Sequence, residues 1–142
     1  MTGEVAVLEP KAALAEVSAE LPYEPGSAVR ARHLVRATLT GWGLDSLVDD
    51  ALLVISELVS NAVKTGCRLE MTVRIIRLTA VSVRVSVTDG CRVLPVRIEA
   101  DDSEESGRGV DLVHQLTEGR WGAAVESFGK TVHADLRVGR KP

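Results

Sequence analysis

Glu57 and Asn61 stand four residues apart in a stretch with helical spacing, which sets their side chains about 40° apart around one axis. A carboxylate and an amide oxygen presented together are hard donors. Mg²⁺ accepts such ligands and takes its remaining positions from phosphates and water. A carboxylate one turn away can also orient or deprotonate a nucleophile. A solvated polar helix edge has the same composition, so the pair alone does not decide. Gly107-Arg108-Gly109 is the second group, at the entrance to another helical stretch. Free amides and the helix dipole attract anions there, and glycine lets the backbone come close. Arg108 adds a charge that pairs with phosphate. The acidic residues just before it (Asp101, Asp102, Glu104 and Glu105) oppose an anion unless their loop swings away as a lid. A plain loop ahead of a helix reads the same way.

Other patterns fail on their own terms. Gly129-Lys130-Thr131 resembles the end of a phosphate-binding P-loop, but Ala124 occupies the position of the required earlier glycine, and a strand rather than a helix follows. Gly107-x-Gly109 could open a dinucleotide fingerprint, yet Leu112 stands where the third glycine belongs. His33, His114 and His133 show no metal spacing and are expected at the surface. Cys67 and Cys91 are 24 residues apart, with no C-x-x-C and no nearby histidine pair. That suits a reducing compartment better than a zinc site or a disulfide framework.

The elements that must hold these groups follow from periodicity. Ser27–Thr40 reads as a helix with Val29, Leu34, Val35 and Leu39 on one side and Arg30, Arg32 and Arg36 on the other. Gly41-Trp42-Gly43 stops it. A second helix is predicted from Asp45 to about Val63, with a capping-box-like Ser46-x-x-Asp49. Leu47, Val48, Ala51, Leu52, Val54, Ile55, Leu58, Val59 and Ala62 make one broad apolar arc on it, with Glu57 and Asn61 beside that arc. The period then drops to 2. Met71, Val73 and Ile75 alternate with Thr72, Arg74 and Ile76, and Val81, Val83, Val85 and Val87 alternate with polar residues up to Asp89-Gly90. An irregular segment runs from Arg92 to Ser106, and a short helix from Gly109 to Leu116. Strands over Trp121–Glu126 and Lys130–Val138 are joined by a turn at Phe128-Gly129. Strands in direct succession make hairpins, and one apolar face per strand puts the helices on one side. The expectation is an α/β two-layer sandwich with a mixed, largely antiparallel sheet. Residues 1–26, with Pro10, Pro22, Pro25 and Gly26, read as a flexible N-terminal arm carrying a turn of helix between Lys11 and Glu20. Residues 27–142 then form the domain.

The 142 residues suit one domain. At 45% hydrophobic and 26% charged, wholesale disorder is excluded. With four aromatic residues (Tyr23, Trp42, Trp121 and Phe128), the core must be aliphatic. A net charge of −3 with scattered Arg and Lys argues against nucleic acid as a partner. No apolar run reaches the length of a membrane span, and the N-terminus lacks a signal-peptide layout. The expected setting is cytoplasmic.

The ordered set Glu57-Leu58-Val59-Ser60-Asn61-Ala62, Asp89-Gly90, Ser106-Gly107-Arg108-Gly109 and Gly129-Lys130-Thr131 resembles the GHKL ATPase superfamily, which includes gyrase, histidine kinases and bacterial anti-sigma-factor kinases. The resemblance spans about residues 27–138. The short length is most similar to the stand-alone anti-sigma serine/threonine kinases. The resemblance implies a Bergerat-type ATP-binding fold with ATP and Mg²⁺ as cofactors. It assigns Asn61 as the Mg²⁺ ligand and Glu57 as the general base. Asp89, with Gly90 beside it, would accept the adenine amino group, and Thr131 would support it from the neighbouring strand. Gly107, Arg108 and Gly109 would line the triphosphate, with residues 97–106 as the lid. The implied partners are a sigma factor and an anti-sigma-antagonist protein phosphorylated on Ser or Thr. A homodimer is also implied, and Arg30, Arg32 and Arg36 are offered as a docking surface. The first glycine box departs from the family: Asp89-Gly90 runs on to Cys91-Arg92 instead of a second glycine. That motivates the alternative, a non-catalytic nucleotide-sensing or protein-docking module of the same fold.

Overall fold

The computed structural model describes residues 13–64, 70–90, 105–126 and 129–139. In chain order these form β1 (Ala15–Leu21), α1 (Gly26–Gly41), a 3₁₀ turn (Asp45–Leu47), α2 (Val48–Lys64), β2 (Met71–Thr79), β3 (Ser82–Asp89), α3 (Glu105–Leu116), β4 (Trp121–Glu126) and β5 (Gly129–Arg137). The strands make one sheet in the order β1-β2-β3-β5-β4. Every neighbouring pair is antiparallel.

Alternation decides which face each strand buries. Val83, Val85 and Val87 of β3 and Val132, Ala134 and Leu136 of β5 are buried on the side where α2 packs across these two strands. Helix α2 is the centre of the helical layer, with α1 and α3 on either side of it in contact. All nine residues of its predicted arc, from Leu47 to Ala62, are buried. The core is aliphatic as expected: Leu39, Ile55, Met71, Ile75 and Leu136 lead its fully buried side chains. Asp49 and Asp50 in the first turn of α2 and Lys64 in the last complement the helix dipole. The chain enters α2 through the 3₁₀ turn, whose N-cap, Leu44, makes no side-chain capping bond.

Three expectations are corrected. Residues 15–21 are neither helix nor arm. They form edge strand β1, registered on β2 from Ala15↔Arg77 to Leu21↔Met71. Ala, Glu and Leu favour helix locally, but Val17, Ala19 and Leu21 alternate with Glu16, Ser18 and Glu20, and pairing with β2 overrides propensity. On α1 the buried stripe is Ser27, Ala31, Val35 and Leu39, while Val29 is half exposed. The stripe's four-residue spacing is set by packing on α2, which Val29 misses. His133 is buried, not superficial. It lies in the second strand from the sheet edge, with Ser86 and Gly122 as its cross-strand partners.

Candidate functional site

The end of β3 is built around one ladder rung. Asp89 stands opposite Lys130 of β5, and both side chains share the helix-facing side with the valines below them. The Lys130 ammonium donates to both carboxylate oxygens of Asp89, at 3.1 Å and 3.0 Å. The side chains are 3% and 2% exposed. The rung below it, Val87 against Val132, is apolar and belongs to the core. An ion pair therefore caps the core where the chain leaves the sheet.

Two backbone features hold this rung in place. Gly129 precedes Lys130, and a Cβ there would collide with the carbonyl oxygen and carbon of Asp89. Only glycine permits that approach. Beyond Asp89, the Gly90 amide donates to the Tyr23 hydroxyl at 2.9 Å. This ties the exit of β3 to the connection between β1 and α1. Burial, reinforced by the negative charge of Asp89, pushes the Tyr23 phenol up, and the Gly90 bond only partly offsets this. The phenol therefore stays protonated at neutral pH and keeps its hydrogen to donate.

Glu57 and Asn61 both lie on α2, half-buried, beside the fully packed Leu58, Val59 and Ala62. Because α2 crosses β3 and β5, these oxygens belong to the same layer that Asp89 faces. A carboxylate and an amide oxygen fit a hard cation that completes its shell with phosphate and water. They do not form a closed protein cage: among the described residues, no cluster of three or more His, Cys, Asp or Glu could hold a metal.

Thr131 is not the group that supports Asp89. Its register partner is Thr88, and the two hydroxyls share a hydrogen bond of 2.8 Å on the opposite face of the sheet. Period-2 alternation makes the correction, since one residue along a strand changes the face. Gly107, Arg108 and Gly109 do not precede their helix. They lie within helix α3, whose described residues are Glu105–Leu116. The predicted lid, residues 97–106, falls outside the described residues except for its last two positions, and Cys67 and Cys91 fall outside them as well. Lys130 and Tyr23 were missed as site residues. Lys130 stood in a rejected P-loop pattern, and Tyr23 in the supposed arm. The signal for Lys130 was its place among Val132, Ala134 and Leu136 in the apolar phase of β5.

No described helix is long and apolar enough to cross a membrane. Among solved structures, the chain is similar to the RsbU and RsbW domains of Rv1364c from Mycobacterium tuberculosis, with a TM-score of 0.67 and 22% identity. The match covers 87% of this chain and 32% of that one, so the chain spans about a third of that protein's solved length. At this identity the likeness establishes the shared fold. No curated protein sequence matches. A family model does match, over residues 21–122, which hold the whole helical layer together with strands β2 and β3. The chain belongs to the histidine kinase-like ATPase domain family.

Proposed function

We propose that the protein is an ATP-binding regulator that phosphorylates a serine or threonine on a small antagonist protein and sequesters a sigma factor. Family membership implies ATP as the ligand. The fold shared with a protein whose solved part includes an RsbW domain supports the anti-sigma branch. The observation that carries the reading is the buried Asp89 carboxylate at the helix-facing end of β3, under the helix that bears Glu57 and Asn61. A buried acceptor-only group suits the exocyclic amino group of adenine. Gly90 adjoins it. Gly107, Arg108 and Gly109 are assigned to the triphosphate from the first turns of α3.

In this reading the domain proper begins with β1, works in the cytoplasm, pairs as a homodimer and touches no nucleic acid. Asn61 would hold Mg²⁺, which supplies charge neutralisation at the phosphates. Glu57 accepts the proton of the attacking hydroxyl. The hydroxyl oxygen bonds to the γ-phosphorus, the bond to the β,γ-bridging oxygen breaks, and ADP leaves. A Glu57→Ala variant is expected to bind ATP normally and to transfer phosphate at least about 100-fold more slowly. Unchanged transfer in a phosphoprotein assay contradicts the base assignment.

A second reading, a docking module without transferase activity, is favoured by Cys91-Arg92 following Asp89-Gly90 in place of a second glycine. Transfer of labelled γ-phosphate to an antagonist protein excludes it.

A further inference from the structure

The ion pair at the end of β3 has a role that packing does not explain. A buried ion pair is seldom more stable than apolar residues of the same volume. The next rung, Val87 against Val132, shows that this sheet face accepts apolar pairs. Lys130 is also unsuited to the task lysine commonly has near a nucleotide. Its side chain is 3% exposed and its ammonium is engaged by both oxygens of Asp89, so it is not directed at a triphosphate. What the pair does accomplish is orientation. Two bonds from one ammonium fix the carboxylate rotamer, and the Gly129 approach and the Tyr23–Gly90 bond fix the backbone on either side. Thr131, on the other face, cannot do this.

We infer that Lys130 is the positioning residue of the base site, holding the Asp89 carboxylate as a charge-compensated acceptor that selects a 6-aminopurine over a 6-oxopurine. The inference rests on the reading of Asp89 as the adenine acceptor. It adds which residue makes that acceptor selective. A site built around a fixed buried acceptor rejects an analogue that offers another acceptor, because both are then left unpaired. Without Lys130 the carboxylate can turn or recruit water, and discrimination falls.

The test is calorimetric titration of ATP and inosine triphosphate into the wild type, Lys130→Met and Lys130→Gln, with folding checked by circular dichroism. The wild type is expected to prefer ATP by roughly tenfold or more. In Lys130→Met, ATP affinity should fall by about that factor while inosine triphosphate changes little, so that the ratio approaches one. A merely structural lysine would weaken both nucleotides equally and leave the ratio intact, and that result overturns the inference. Should Lys130→Met fail to fold, Lys130→Gln, whose neutral amide can still donate to the buried carboxylate but does not carry the ammonium's charge, decides. A relaxed ratio supports the inference, and a wild-type ratio overturns it. Equal binding of both nucleotides by the wild type removes the inference and leaves the ATP site standing. Binding of neither removes both.

Discussion

Gly129 and Asp89 show how little freedom the site leaves at the residue scale. The absent Cβ of Gly129 is filled by the Asp89 backbone, which has no flexible end to yield. Gly129→Ala is therefore expected to cost about 1–3 kcal/mol in a urea unfolding titration, as overpacking does. An unchanged midpoint would mean that the two strands separate easily at this rung. Asp89 was legible as a candidate from its place after a valine strand. Its partner was not. Lys130 and Thr131 are adjacent in sequence, and which of them faces Asp89 depends on a register that no local pattern specifies. The same limit applies to His133. Alternation assigns it to the polar face, but only the strand order shows that Ser86 and Gly122 flank it.

Among the elements, α2 has an apolar arc broad enough to be read from spacing alone, and that arc is buried in full. Ile55 is wholly buried within it, and Ile55→Ala is expected to destabilise the fold by about 2–5 kcal/mol. Chemical denaturation measures this directly. Strand β5 carries the pH dependence. His133 is pushed down by burial, then by Arg84 of β3, while Asp135, which accepts from Arg84 at 2.8 Å, opposes the shift. Its Nδ1 is buried without a hydrogen-bond partner. A histidine harder to protonate when folded binds fewer protons in the native state. Its stability contribution is therefore complete above about pH 6.5 and is lost as pH falls toward the depressed value. Stability should decline from pH 7 to pH 5, and less so in His133→Phe. Equal declines in the two proteins would assign the acid sensitivity to other groups. Strand β1 escaped the sequence reading for a physical reason. Its Ala, Glu and Leu have high helix propensity and prolines follow it, so its two-residue alternation was outweighed until β2 supplied the partner.

At the scale of the whole molecule, the helices cover one face of a five-stranded antiparallel sheet, as the succession of hairpins and single apolar faces required. The hairpins β2–β3 and β4–β5 were legible as adjacent runs. The insertion of β5 between β3 and β4 was not, because short connections do not say which strand of the second hairpin joins the first. That choice brings Lys130 to Asp89 and sets α2, with Glu57 and Asn61, across both strands. The proposal that this layer holds a nucleotide underlies every role assigned above. It is tested most directly by titrating ATP, with and without Mg²⁺, into the wild type, Asp89→Asn and Asn61→Ala. Mg²⁺-dependent binding is predicted for the wild type, with at least about tenfold weaker binding in Asp89→Asn and loss of the metal dependence in Asn61→Ala. A folded wild type that binds no ATP at millimolar concentration, or variants that bind as the wild type does, would contradict it.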